Sequence, residues 1–174
     1  MGFDKTVTPL GLRSPLARLA EALGQRRTVI VVPSNLSDDA ARIAPAACIV
    51  INREQPRGMA HSLHLALSLI ERESSFGVLL GDMPSMTEAT IQRTEATLCG
   101  DVDVAFPVDL AGTAGHPVLF SARARSIVEA LPDGDTLRIA RDDESLRRAS
   151  WRCGDQSAFL DLDVPSDWAA FSDA

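Results

Sequence analysis

Apolar residues along the chain switch between two spacings. Leu16, Leu19, Ala20 and Leu23 share one face of a 3.6-residue period, and residues 28–32 form a short β-branched run without charge. Ser14 followed by Pro15 is an N-cap and first-turn pair, and Gly24 marks the stop. The alternation continues with a short helix over 37–43 and a strand over 47–51. A helix over 59–71 turns Leu63, Leu67 and Ile70 inward, and a strand over 78–80 follows. Thr87 caps a helix running to about Leu98. Strands are predicted over 102–108 and 118–120, then a helix over 121–131. Two short helical stretches, a strand near 159–162 and a last helix after Pro165 complete the chain. Strand and helix taking turns in this way predict an α/β protein of three layers, with helices on both faces of a mainly parallel sheet. No repeat or long linker divides it, so residues 1–174 read as one domain.

The run 76–84, Phe-Gly-Val-Leu-Leu-Gly-Asp-Met-Pro, is the most informative. It is apolar without alternation, as in a strand buried on both faces, and Pro84 cannot continue a central strand. Asp82 thus sits past the carboxyl end of a strand, the edge of an open α/β sheet where ligands bind. A carboxylate held there suits a hard cation such as Mg²⁺; it equally suits a turn or a helix cap. Three further loops share that edge. Asn52 to Gly58 leads into Met59-Ala60-His61-Ser62, where a glycine precedes the free N–H groups of a helix start, an arrangement for anions that is also common in plain loops. In Gly115-His116-Pro117, His116 is either a substrate contact or a turn residue. Asp161 and Asp163 share one face of a strand end and either complete a metal site with Asp82 or form a solvated edge. The longest irregular stretch is 108–117.

Composition narrows the function. A net charge of −7 without a Lys/Arg cluster argues against nucleic-acid binding. An acidic chain that binds an anionic nucleotide needs a metal or local donors to offset repulsion. No apolar run approaches the roughly 20 residues of a membrane span, and no signal pattern opens the chain. Cys48, Cys99 and Cys153 are scattered and odd in number, which reads as reduced thiols and a cytoplasmic location.

Four segments in order carry a resemblance: Gly58-Met59-Ala60-His61-Ser62-Leu63, Leu80-Gly81-Asp82-Met83-Pro84, Gly115-His116-Pro117, and Asp161-Leu162-Asp163-Val164-Pro165-Ser166-Asp167. They resemble the MobA-like nucleotidyltransferases, and most of all the molybdenum cofactor cytidylyltransferase branch, over nearly the whole chain. The resemblance implies a nucleotide-diphospho-sugar-transferase-like (Rossmann-like) fold. It implies an enzyme that moves a nucleoside monophosphate, CMP from CTP, onto a phosphorylated small-molecule acceptor of molybdopterin type and releases pyrophosphate. Mg²⁺ is the implied cofactor, held by Asp82 and Asp163. Lys5 is the implied triphosphate contact and acts with Asp82 in catalysis. Gly2, Lys5, Asn52, Gly58, Met59 and Ser62 are the implied nucleotide-binding set, and His116 contacts the acceptor. Two other readings fit the same segments: a binding relative without turnover, and a guanylyltransferase acting on another phosphorylated small molecule.

The amino terminus departs from the family's pattern. Members begin with a strand and a glycine-rich phosphate loop; here Met1-Gly2-Phe3-Asp4-Lys5 matches only that motif's tail. The resemblance therefore implies an N-terminally truncated fold, through an upstream start, a trimmed chain or a degenerate member, the first being preferred. Loss of a central strand leaves two neighbours with unpaired backbone, so self-association into a homo-oligomer is expected.

Overall fold

The computed structural model describes residues 6–9, 12–54 and 57–160. Six strands and six helices alternate through them. Helix α1 (Pro15–Leu23) starts where Ser14 Oγ accepts from Ala17 N at 3.2 Å. Strand β1 (Val29–Pro33), helix α2 (Ser37–Ile43) and strand β2 (Cys48–Asn52) form a parallel βαβ unit in which Val29 pairs with Cys48 and Pro33 with Asn52. Helix α3 (Met59–Leu67), strand β3 (Phe76–Val78) and helix α4 (Glu88–Thr97) follow, and Thr87 Oγ1 caps α4 by accepting from Thr90 N at 3.2 Å. Strands β4 (Val104–Val108) and β5 (Val118–Phe120), helices α5 (Arg125–Glu129) and α6 (Leu137–Arg141), and strand β6 (Arg148–Arg152) complete the set.

The strands form two sheets among the described residues: β1–β2, and a second in the order β3–β5–β4–β6. Both five-residue ladders, β1–β2 and β4–β6, are parallel. Strand β5 runs against β3 and β4. The reason is connection length: a parallel return needs a crossover of about a dozen residues, and the loop between Val108 and Val118 is shorter and carries no helix. One core joins Phe76, Val78, Val104, Phe106, Val118 and Phe120 to Ala60, Leu63 and Leu67 of α3 and to Val128 of α5.

Several expected elements shift. Strand β3 ends at Val78 rather than Leu80, because its partner ladder starts at Val118 and the preceding Pro117 has no N–H to extend it. Phe76 and Val78 are buried, but Gly77 between them is exposed, so β3 is not covered on both faces. Helix α3 stops at Leu67, four residues before the expected Glu71. There Arg125, 5% exposed, donates Nη1 to Glu71 O at 3.0 Å and Nη2 to Leu67 O, taking the last carbonyls in place of another turn. The helix over 121–131 divides into a 3₁₀ turn (Ala122–Ala124) and α5. Strand β6 is absent from the pattern reading: Arg-Ala-Ser-Trp-Arg is polar at every other position and lies on a sheet edge. The strand expected near 159–162 is a 3₁₀ turn (Gln156–Ala158) followed by irregular chain to Leu160; its remainder and the helix after Pro165 lie outside the described residues.

Asp103 sits where three strands meet. Its buried carboxylate accepts from Arg123 Nε at 2.8 Å, Arg147 N at 3.1 Å and Ser121 Oγ at 3.2 Å, tying the start of β4 to the end of β5 and the start of β6. Burial pushes this carboxyl up, but the Arg147 N–H, the Arg123 guanidinium and the Ser121 hydroxyl outweigh it and hold it below the ordinary carboxylate range.

Candidate active site

The carboxyl ends of β1 and β2 meet the amino end of α3 around a cavity of about 180 Å³ lined by Val31, Val32, Pro33, Asn52, Gly58, Met59 and Ser62. Four residues singled out in the sequence, Asn52, Gly58, Met59 and Ser62, are thus brought together. Drug-sized ligand pockets run from about 300 Å³, so this one admits only a fragment of a ligand, with the rest lying outside.

Its walls are fixed by hydrogen bonds. Asn52 is 4% exposed: its Nδ2 donates to Ser62 Oγ at 3.0 Å and its Oδ1 accepts from Glu54 N at 2.8 Å. One amide therefore ties the end of β2 both to the following loop and to the first turn of α3. Gly58 precedes α3 at φ 87° and ψ −170°, a conformation reserved for glycine. A β-carbon there would stand 3.0 Å from Gly134 Cα. The loop after α5 thus presses directly on the glycine before α3. Next to this contact Arg57 Nε donates to Asp133 Oδ2 at 2.6 Å and Nη1 to Glu54 Oε2 at 2.7 Å, and His61 Nδ1 lies 3.8 Å from Asp133 Oδ1. The Arg57 guanidinium holds the Glu54 carboxyl below its usual range. Arg57, Asp133 and Gly134 were not singled out by sequence reasoning. Pro132-Asp133-Gly134 signals a turn, but nothing local says which loop the turn packs against.

Asp82 and His116 each lie beyond the carboxyl end of β3, Asp82 four residues further along the chain and His116 by its ring against Val78 O. Asp82 is half-buried in the turn after Leu80. His116 places Nδ1 3.2 Å from Val78 O, and its backbone N donates to Ala158 O at 2.8 Å. Gly115, before it, is buried against the same segment: a β-carbon there would stand 2.4 Å from Ala158 O and 2.6 Å from the Phe159 ring. Residues 156–160 therefore seat the Gly-His-Pro turn against β3. The preceding loop is ordered as well, with Asp109 Oδ1 accepting from Thr113 N at 2.7 Å and Ala111 N at 2.8 Å. The Thr113 and Ala111 N–H groups hold the Asp109 carboxyl below its usual range. Gly2, Lys5, Asp161 and Asp163 lie outside the described residues. Among the described residues no three His, Cys, Asp or Glu side chains form a metal cage. A Mg²⁺ or Mn²⁺ site does not require one: such ions bind through one or two carboxylates plus substrate phosphates, and the Asp82 carboxylate is an oxygen donor of that type. No helix among the described residues is long and apolar enough to cross a membrane.

A family model described as the MobA-like NTP transferase domain matches residues 1–149. The bifunctional protein GlmU of Chromobacterium violaceum is 31% identical over 117 residues, 66% of this chain and 26% of GlmU. The chain thus spans about a quarter of that relative's length. Among solved structures, the manganese complex of Rv0371c from Mycobacterium tuberculosis H37Rv superposes with a TM-score of 0.77 at 21% identity, covering 99% of this chain and 94% of that one. Molybdopterin-guanine dinucleotide biosynthesis protein A from Archaeoglobus fulgidus superposes with a TM-score of 0.71 at 16% identity, over 99% and 90% of the two chains. At these identities the likeness is one of fold, the nucleotide-diphospho-sugar-transferase-like α/β architecture.

Proposed function

Because the chain belongs to the MobA-like NTP transferase domain family, we propose that its residues 1–174 act as one cytoplasmic nucleotidyltransferase domain that moves CMP from CTP onto a phosphorylated acceptor of molybdopterin type, releasing pyrophosphate. The observation that carries this reading is the cavity formed by Asn52, Gly58, Met59 and Ser62 at the carboxyl edge of β1 and β2, with Asp82 and His116 at the same edge of β3. The cavity takes the base, and the N–H groups at the start of α3 face outward from it toward bound anions. Asp82 holds the divalent metal, with Asp163 as the second carboxylate, and Lys5 and the backbone at Gly2 meet the triphosphate. His116 orients the acceptor. When bound, Mg²⁺ supplies neutralisation of charge on the leaving pyrophosphate. The protein's own contribution is positioning: rigid strand ends hold acceptor phosphate and α-phosphorus in line.

The names of the neighbours support a divalent ion and a molybdopterin-type acceptor. Manganese is present in the Rv0371c structure, and the Archaeoglobus protein takes its name from molybdopterin-guanine dinucleotide. The test is pyrophosphate release from each of the four NTPs, with Mg²⁺ or Mn²⁺ and molybdopterin. Metal-dependent release with CTP above the others is the expected outcome. Release with GTP alone would move the reading to a guanylyltransferase, and none with any NTP, alongside retained nucleotide binding, to a binding relative.

A further inference from the structure

We propose that Asp133, on the loop between α5 and α6, is a positioning residue for the cavity of Asn52, Gly58 and Ser62, acting through Arg57; that this cavity takes a nucleotide rests on the reading above. All three nitrogens of the Arg57 guanidinium are engaged. Nε donates to Asp133 Oδ2 at 2.6 Å, Nη2 pairs with the same oxygen, and Nη1 donates to Glu54 Oε2 at 2.7 Å. Glu54 N in turn donates to Asn52 Oδ1 at 2.8 Å, and Asn52 Nδ2 donates to Ser62 Oγ at 3.0 Å. One chain of contacts thus runs from Asp133 to two residues of the cavity wall. Gly134 adds a second connection, because its backbone packs on Gly58, the residue between Arg57 and α3. Both glycines hold a positive φ, 87° at Gly58 and 89° at Gly134, which lets the two backbones approach without a β-carbon between them.

Asp133 is itself placed by the rest of α3. Where α3 ends, Arg125 of α5 donates to Leu67 O and, at 3.0 Å, to Glu71 O. Midway along the helix, His64 Nε2 lies 3.3 Å from Val128 O. Where α3 begins, Asp133 and Gly134 meet Arg57 and Gly58. The segment 125–134 therefore runs antiparallel to α3 and grips it at both ends and in the middle. With the first two levels fixed, the clasp at Asp133 decides where Glu54, Arg57 and Gly58 sit beside the cavity. Losing it costs population: a site formed part of the time binds in proportion to the formed fraction. The clasp is exposed, the Arg57 and Asp133 side chains being 49% and 32% accessible, so it contributes little to global stability. Its effect falls on the site.

The test uses Asp133→Asn, Asp133→Arg, Arg57→Asp, and the exchanged pair Arg57→Asp with Asp133→Arg. The exchanged pair keeps two carboxylates around one guanidinium, now carried by the opposite loop. CTP titration and hydrogen exchange at the Glu54 amide are read first, then KM and kcat. Asp133→Asn should raise Kd and KM for CTP on the order of fivefold, the upper range for an exposed ion pair, with kcat and the KM for molybdopterin within about twofold. The Glu54 amide, which Asn52 Oδ1 holds, should exchange faster by a similar factor. Each charge-reversed single variant should bind more weakly than Asp133→Asn, and the exchanged pair should recover most of the loss. Unchanged affinity and exchange in Asp133→Asn overturn the proposal. So does a loss that persists in an exchanged pair that still unfolds cooperatively in urea, which would make Asp133 a ligand contact in its own right. A rise in the KM for molybdopterin alone also overturns it and assigns the loop to the acceptor. Faster Glu54 exchange in a chain whose parent binds no NTP supports the positioning role and removes the nucleotide from the cavity instead.

Discussion

Replacing Gly58 by alanine should loosen the candidate site at a cost that separates into two parts. Gly58 occupies φ 87° and ψ −170°, where a β-carbon costs about 1–3 kcal/mol. That β-carbon would also stand 3.0 Å from Gly134 Cα and 3.2 Å from Gly134 N, and backbone cannot rotate away as a side chain can. Gly112 supplies the reference: its φ is 88°, and a β-carbon there meets nothing within 4 Å. Gly112→Ala therefore reads the cost of a positive φ without a clash, about 1–2 kcal/mol. Gly58→Ala adds displacement of the 132–135 loop, for a total of about 3 kcal/mol, the added part being of the size of an overpacked contact. Urea unfolding of the three proteins gives the difference directly. At about 2–4 °C per kcal/mol, Gly58→Ala should lower Tm by roughly 6–12 °C. Nucleotide titration should weaken in parallel, because the cavity's rim moves with the glycine. A Gly58→Ala protein no less stable than Gly112→Ala would refute the contact with Gly134, and unchanged nucleotide affinity would remove Gly58 from the site.

Three further outcomes are expected. Asp82→Asn should abolish metal-dependent nucleotide binding in calorimetry while the protein still unfolds cooperatively in urea; unchanged binding would make Asp82 a turn residue. Asp103→Asn should cost about 2–3 kcal/mol, since the carboxylate accepts one charged and two neutral hydrogen bonds. Because its folded pKa is lowered, the Asp103 contribution is complete above the ordinary Asp pKa of about 3.9 and is lost as pH falls through the depressed value. An acid-unfolding curve for Asp103→Asn that parallels the parent's down to pH 2 would contradict this. Gly115→Ala forces the Ala158 carbonyl away from the His116 N–H, and should lower turnover more than nucleotide affinity if His116 serves the acceptor; equal loss of both would place His116 with the nucleotide.

The parts of this molecule legible in its sequence are those set by local chemistry. Ser14-Pro15 and Thr87 mark helix starts by side-chain capping, and α2 and β5 follow from short patterns with clear ends. What is set by distant neighbours was not legible. Strand β6 is polar because it is an edge, Leu79 and Leu80 leave the ladder because Pro117 limits their partner, and α3 ends where Arg125 reaches its carbonyls. In the site, the shared position of Asn52, Gly58, Met59 and Ser62 follows from strand-end logic, whereas the clasp of Arg57 on Asp133 depends on a loop remote in the chain.

The parallel pairing of β1 with β2 has a consequence for synthesis on the ribosome. Residues 29–52 are contiguous and close through α2 alone, so this unit can assemble as soon as it leaves the exit tunnel. Phe76 and Val104 must both wait for Phe120 before either gains its first ladder. The nascent chain therefore carries a finished βαβ unit beside an unpaired, apolar β3 for the time needed to translate roughly 40 codons, a few seconds at about 5–20 residues per second. That interval is when chaperone contact would matter most for this protein, and slow codons between 76 and 120 would prolong it.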